Sequence, residues 1–298
     1  MKILLVADQR GWVFERHCNE IKKRITEHKI DIAFRKDHIK AKQDNYDLIY
    51  VLDPIPLSHG YPDPKKTILG LRCEFLHREH PQGAKGLYEN GFPGRCSSIK
   101  DKCSVFHVVN RNMFELYTPI VTDKPLLLAQ HGVDEEIFNR EKHPIEKHDN
   151  FTVGIVGRLS PNKGGDILLA ACKEAGVNLV AAEYNRPLTK EEMPKFYTKM
   201  DAYICLSESE GLHNPTMEAG AMGLPVITTR CGAAEEIVIH GENGMFVDRN
   251  VRCVTEALTH LKSNPSVVTD MGDNMYNTIM NKWTWKYRIE DFRAMFNR

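Results

Sequence analysis

Residues 152–182 read TVGIVGRLSPNKGGDILLAACKEAGVNLVAA. The first five form a short apolar run of strand type. A polar loop follows, carrying Gly157, Gly164 and Gly165. Residues 166–175 then place apolar side chains at helical spacing, and 178–182 form a second apolar run. Strand, loop, helix and strand in this order build a parallel pair with a right-handed crossover.

The same alternation continues on both sides. Strands are expected at 3–7, 31–34, 48–52, 67–71, 105–109 and 126–130, and after the central unit at 202–206, 226–229 and 244–247. Amphipathic helical runs lie at 12–27, 191–200 and 251–262. Strands of four to six residues that are nearly all apolar belong in a parallel sheet covered on both faces. The fold class is therefore α/β and doubly wound, built as two Rossmann-like parallel-sheet domains. With 298 residues the chain exceeds one core and divides into halves of roughly 150 residues. The segment 139–150, NREKHPIEKHDN, is polar and without an apolar period, so the linker is expected there. Ligands of such sheets bind at the carboxyl ends of the strands, which directs attention to a cleft between the halves.

Composition removes several classes. Basic and acidic side chains number 40 each, which argues against bulk electrostatic capture of nucleic acid or an anionic membrane. No apolar run approaches the roughly 18 residues of a membrane span. The opening MKILLVAD is apolar only as far as Asp8 and reads as a buried first strand, not a leader. None of the eight cysteines forms C-x-x-C, and most lie in apolar or helical runs, the pattern of reduced thiols in a cytoplasmic protein. G-x-G-x-x-G, a P-loop, H-E-x-x-H and G-x-S-x-G are all missing. No two aspartates are two residues apart, so an Asp-x-Asp metal site for a nucleoside diphosphate has no candidate.

Two stretches carry chemistry. In 154–165, glycines let the backbone approach a ligand closely and a helix opens with unpaired amides and about half a positive charge. A departing diphosphate carries two to three negative charges, far more than that half charge offsets. Arg158 and Lys163 add two whole charges, Arg158 as a planar fork and Lys163 as a point charge. Residues 207–225, SESEGLHNPTMEAGAMGLP, hold the second helix start. Asn214 is the expected N-cap, Pro215 suits the first turn, and Gly223 with Pro225 stops the helix. Glu210 and Glu218 stand on either side of this turn. Carboxylates accept from paired sugar hydroxyls, so the two suit a ligand with hydroxyls at both ends and phosphate between.

The runs GRLSPNKG and EGLHNPTMEAGAMGLPV together resemble the donor domain of a retaining glycosyltransferase of family 4 (glycosyl transferases group 1), with the GT-B fold. The family pattern is G-R-x4-K-G, then E-x7-E, a small-residue helix and G-x-P-V. Gln130-His131-Gly132-Val133-Asp134 with Phe138, and Glu242-Asn243-Gly244, resemble two further family segments. The likeness is strong over 126–262 and weak before. It implies residues 1–140 as the acceptor-side domain, 151–279 as the nucleotide-sugar donor domain, and 280–298 as a helix crossing back to the first. It also implies that Arg158 and Lys163 contact the donor diphosphate. Glu218 would bind the ribose, and Glu210 would lie near the donor sugar with backbone amides of Gly211 and Leu212. Transfer would proceed with retention and without a cofactor or essential metal, UDP-sugars being the favoured donors. The leaving diphosphate can take the acceptor's proton on the same face, so the two glutamates are not assigned as a glycosidase-type acid and base. Arg158, Lys163 and Glu210 are thus the catalytic candidates, acting electrostatically.

The first half departs from the family. Its loop after the first strand has one glycine, Gly11, as the candidate for donor approach, with Arg10 beside it. Where the family often has a histidine after the fourth strand, this chain has Arg72 and Glu74; either could replace it, or the contact is absent. His131 ends a strand near the expected cleft. Cys73, His77, His80, Cys96 and Cys103 match no common zinc spacing. Lys22-Lys23-Arg24 offers a basic helix face for peripheral membrane contact, with a solvated face as the default. Trp283 and Trp285 precede the last helix and are expected to pack there. The acceptor class stays open among glycan, lipid-linked sugar, small molecule and modified nucleobase. A nucleotide-sugar epimerase or hydrolase, or an idle nucleotide-binding module, are the alternatives on the same fold.

Overall fold

The computed structural model describes residues 1–34, 43–53, 62–72, 88–89, 92–93, 100–119, 121–146, 149–183 and 188–298. They fall into two compact units, Met1–His131 with Arg288–Arg298, and Gly132–Tyr287. The segment 139–150 lies within the second unit. Both units are α/β with parallel sheets.

In the first unit β1 (Lys2–Ala7), β2 (Lys29–Phe34), β3 (Leu48–Val51) and β4 (Thr67–Leu71) are followed by a two-residue antiparallel pair, β5 (Tyr88–Glu89) with β6 (Phe92–Pro93). β7 (Val105–Val108) and β8 (Leu126–Leu128) complete a parallel sheet of order β2-β1-β3-β4-β7-β8. Ile3, Leu4 and Leu5 are wholly buried, as expected of a strand covered on both faces. Helix α1 (Val13–Arg24) stops short of the expected 27 because Ile25 turns extended. Its basic end is partly neutralised, since Arg24 pairs with Glu20. Helix α2 (Arg111–Tyr117) is capped by Asn110, whose side chain accepts from the Met113 amide at 2.7 Å. Phe292 and Phe296 of the final helix (Trp285–Phe296) pack on Tyr50, with ring centroids 6.4 and 6.0 Å away. His107 lies beneath them, hydrogen-bonded to Tyr50 and to the Ala129 carbonyl. Burial holds its pKa well below the usual imidazole value, so it sits in the core uncharged.

The second unit contains β9 (Thr152–Val156), β10 (Asn178–Ala182), β11 (Ala202–Cys205), β12 (Val226–Thr228) and β13 (Gly244–Phe246), ordered β10-β9-β11-β12-β13 and parallel throughout. Its helices are α3 (Gly165–Ala175), α4 (Met193–Tyr197), α5 (Asn214–Ala221), α6 (Ala234–Ile237), α7 (Val251–Ser263) and α8 (Pro265–Lys282). Leu168 of α3 and Val254 and Leu258 of α7 are fully buried against Val153, Ile204 and Ile227 of the sheet. Each such leucine contributes about 1.5–3 kcal/mol relative to exposure. Trp283 and Trp285 are buried, each at 2% exposure. No helix among the described residues is long and apolar enough to cross a membrane.

Strand order locates the site. The chain leaves β9 toward β10 on one side, then returns to place β11 on the other. The loops after β9 and β11 therefore diverge, and they leave a crevice at the carboxyl ends of these two strands. Such a switch point is where open α/β sheets take ligands.

Candidate active site

After β9 the chain turns at Gly157, whose φ of 121° only glycine adopts readily. A side chain there would meet nothing within 4 Å, so the backbone faces open space. Lys163 ends a 3-10 turn (Pro161–Lys163), and Gly164 follows at φ 70°. A Cβ on Gly164 would stand 2.6 Å from Leu206 Cβ. Glycine at this position is what lets the loop lie against the end of β11. Helix α3 then starts without a side-chain cap, its Gly165 amide donating to the Ser160 carbonyl at 3.2 Å and its dipole directed at this loop.

The loop after β11 meets it from the other side. The Lys163 ammonium donates to Glu210 Oε1, and the Ser207 hydroxyl donates to the same oxygen at 2.7 Å. His213 Nε2 lies 3.6 Å from it. Arg158 shares one small recess with Lys163, Ser207, His213 and Tyr203. Arg249 joins the two loops: its Nε donates to the Leu206 carbonyl at 3.0 Å, it also donates to the Pro161 carbonyl, and it pairs with Glu208 at 3.0 Å. The Glu208 amide reaches the Asn162 carbonyl at 3.1 Å. Gly211 accepts from the Ala233 amide at 3.0 Å, and Leu212 is buried.

Electrostatics keep this cluster charged. Burial pulls the Lys163 ammonium down, but the adjacent Glu210 carboxylate outweighs it and leaves the pKa above the ordinary lysine value. Burial likewise opposes charge on His213, while Cys205 and Glu210 raise it, to a net value of about 9. Cys205 is held well below the ordinary thiol value by the Cys231 hydrogen bond, against burial and with help from His213.

Helix α5 begins one residue away from expectation. Asn214 is its first helical residue, and His213 stands at the cap position in extended conformation. The His213 ring turns into the helix start instead, with Nδ1 2.9 Å from Thr216 Oγ1. Glu218 lies on α5 and accepts from the Tyr197 hydroxyl at 2.8 Å. Burial first, then the Glu218 charge, push the Tyr197 pKa well above 10, so the phenol remains a donor. Tyr197→Phe removes that donor from the Glu218 carboxylate. Nucleotide affinity is expected to fall about 5- to 10-fold, the effect of one hydrogen bond worth about 1–1.5 kcal/mol. Calorimetric titration of the variant with nucleoside diphosphates checks this.

The predicted residues thus separate by unit. Arg158, Lys163, Glu210, Gly211, Leu212 and Glu218 belong to the second, and the first three share its switch point. Gly11 and Arg72 belong to the first. Gly11 has φ 77° with open space where a side chain would stand, and its amide donates to Glu15 at 2.5 Å. Arg72 donates from Nε to the Leu52 carbonyl at 2.7 Å and from its fork to the Tyr50 hydroxyl. His131 is buried and packs on His17 with the rings tilted by 35° and their centroids 3.9 Å apart. Glu74, Cys73, His77, His80 and Cys96 lie outside the described residues, and Cys103 is a buried free thiol. Sequence reasoning assigned no role to Ser207, His213, Tyr197 or Arg249. Ser207 and His213 stood inside the quoted motif stretch, three residues either side of Glu210. Tyr197 and Arg249 reach the site only through the fold.

Residues 179–264 match the family described as Glycosyl transferases group 1. Among curated proteins, the chain is 24% identical to the capsular polysaccharide biosynthesis glycosyltransferase CapM of Staphylococcus aureus, over 57% of this chain and 53% of that one. It is 23% identical to an uncharacterized glycosyltransferase of Methanocaldococcus jannaschii, over 80% of each chain. It is 27% identical to a GDP-mannose-dependent mannosyltransferase of Mycolicibacterium smegmatis, over 47% of this chain and 46% of that one. The chain thus spans about half the length of two of these relatives. Among solved structures, a sucrose-phosphate synthase of Thermosynechococcus elongatus superposes with a TM-score of 0.76 at 15% identity, covering 100% of this chain and 98% of that one. The Anabaena protein HepE, in complex with UDP and glucose, gives 0.70 at 14% identity, covering 100% and 99%. The two parallel-sheet α/β units have the fold of GT-B glycosyltransferases, and the second unit carries a glycosyl transferases group 1 segment.

Proposed function

We propose that the chain is a retaining glycosyltransferase. It moves a sugar from a nucleoside diphosphate sugar, a UDP-sugar in the first instance, to a hydroxyl acceptor without an essential metal or cofactor. The observation that carries this reading is the meeting of Lys163, Glu210 and Arg158 at the switch point of the second sheet. Two cations beside open glycine backbone and a helix N-terminus form a receptor for a dense anion.

With diphosphate present, the Lys163 ammonium exchanges Glu210 for phosphate oxygen, and the Arg158 fork binds a second pair of oxygens. Both act most strongly on the charge that develops as the glycosidic bond breaks. Glu210 faces the sugar, steadied by Ser207, and Gly211 and Leu212 offer backbone amides there. Glu218, oriented by Tyr197, takes the ribose hydroxyls. The departing phosphate oxygen accepts the acceptor's proton on the face where the acceptor attacks, which preserves the anomeric configuration without a protein base. Gly11, and Arg72 or Glu74 in place of the family's histidine, are the first unit's candidates for donor contact. Residues 1–140 shape the acceptor side.

UDP is favoured because the HepE structures hold UDP and UDP-glucose. The mannosyltransferase relative uses GDP-mannose, so the test spans both bases. Chelator-treated protein is expected to melt higher with one nucleoside diphosphate, gaining about 2.7 kcal/mol at 100 times its Kd. The matching nucleotide-sugar should yield free diphosphate and a glycosylated product by mass spectrometry only when an acceptor is supplied. Donor breakdown without acceptor, or no stabilisation by any nucleoside diphosphate, refutes the reading.

A further inference from the structure

Behind the Lys163–Glu210 pair, the sulfur of Cys205, the Nε2 of His213 and a carboxylate oxygen of Glu210 all lie within 4.8 Å of one another. Cys205 Sγ to His213 Nε2 is 3.8 Å, and His213 Nε2 to Glu210 Oε1 is 3.6 Å. A tetrahedral zinc ion with bonds of about 2.3 Å to sulfur and about 2.0–2.1 Å to nitrogen and oxygen sets these edges at about 3.5 and 3.3 Å. Both edges are met after shifts of a few tenths of an ångström. The imidazole is already oriented for ligation, because Nδ1 pairs with Thr216 Oγ1 and leaves Nε2 toward the other two donors. Cys231 lines the same small recess as Cys205 and His213, and both thiols are buried and free. Sulfur, imidazole and a single carboxylate select a thiophilic ion over magnesium or calcium.

We infer that Cys205, His213 and Glu210, with Cys231 at hand, form a binding site for one thiophilic divalent cation of the zinc type, and that its occupation displaces Lys163 from Glu210 and suppresses transfer. The ion is an inhibitor, not a cofactor. Its binding stands on the geometry of Cys205, His213 and Glu210 alone. Its effect on transfer rests on the donor-site reading above, because Glu210 and Lys163 serve both.

The full-length, reduced and chelator-stripped protein is titrated with Co²⁺ and then Zn²⁺. One equivalent of Co²⁺ should produce a thiolate-to-metal charge-transfer band with tetrahedral ligand-field absorption, bleached by one equivalent of Zn²⁺. Cys205→Ser and His213→Gln should each weaken Zn²⁺ binding on the order of 100-fold or more, and Thr216→Val about 10-fold. Cys253→Ser, a thiol remote from this cluster, should bind as wild type. If the first two variants fail to fold, the wild-type cobalt spectrum and Thr216→Val decide. A wild-type protein without the thiolate band, or unchanged Zn²⁺ affinity in the folded variants, overturns the site. A separate arm measures transfer with stoichiometric Zn²⁺. Loss reversed by chelator supports the inhibitory role. Full activity with the site loaded overturns that role and leaves the donor-site reading standing, since nucleotide stabilisation of metal-free protein tests the latter by itself.

Discussion

Lys163→Ala is expected to lower affinity for a nucleoside diphosphate by roughly 30- to 1,000-fold, and kcat/KM by at least as much. One charge-assisted hydrogen bond to phosphate is worth about 1.5–3 kcal/mol. A second contribution adds to it. Lys163 now covers the Glu210 carboxylate, which is only 15% exposed, and without the ammonium that carboxylate faces the incoming diphosphate as a like charge. Together these reach about 2–4 kcal/mol, and each 1.4 kcal/mol is tenfold. The dipole of α3 does not compensate, since it supplies about half a charge. The double variant Lys163→Ala with Glu210→Gln separates the two contributions. It should recover part of the binding lost in the single variant, because the repulsive charge is gone. Glu210→Ala alone should leave nucleotide binding close to wild type and lower turnover, as expected of a residue that acts at the sugar. Wild-type diphosphate affinity in Lys163→Ala removes Lys163 from the donor site and with it the central assignment.

The charged pair at the core of that prediction was readable from the sequence only as two separate residues. Lys163 stood out because it follows a strand and precedes a helix, and Glu210 because it precedes the next helix start. Their direct contact depends on β9 and β11 being neighbours, which is long-range information. The strands were readable because parallel strands buried on both faces write themselves as apolar runs: 67–71 and 152–156 coincide with the structure to the residue, and so does the edge strand 178–182, which is only partly buried. Helix ends were less so. The α4 segment was expected over 191–200 but is helical only over Met193–Tyr197. The Thr189 amide and hydroxyl engage Glu192 before it, and the Thr198 hydroxyl turns back to the Lys195 carbonyl after it. The Asn214 cap failed for a related reason, since His213 makes a side-chain contact with Thr216 that no propensity scale contains. Tyr197 was invisible because a tyrosine in a helical run reads as core. It is core, and its hydroxyl still reaches Glu218.

Gly232→Ala is expected to cost about 2–4 kcal/mol of stability and to reduce turnover by about 100-fold or more. Gly232 has φ 56°, a conformation that costs an L-residue about 1–2 kcal/mol. Strain is the smaller part. A Cβ there would stand 2.3 Å from the Gly211 carbonyl oxygen and 2.8 Å from that of Glu210. These are backbone atoms, so no side-chain rotation relieves the contact and the Glu210–Gly211 segment itself must move. That segment is held by the Ala233 amide on Gly211 and by the Ser207 and Lys163 contacts to Glu210. A displacement of about 1 Å at a positioned group is enough to lose two orders of magnitude in rate. Gly241→Ala supplies the control, because Gly241 has φ 82° with nothing within 4 Å of the added carbon. It should lose only the strain, about 1–2 kcal/mol in thermal denaturation, and retain wild-type turnover below its melting temperature. If the two alanine variants lose turnover equally, backbone strain alone accounts for both. If Gly232→Ala alone loses it, the glycine is there because the carbonyls of Glu210 and Gly211 need the space, and the position of Glu210 is set by the chain that folds over it as much as by its own loop.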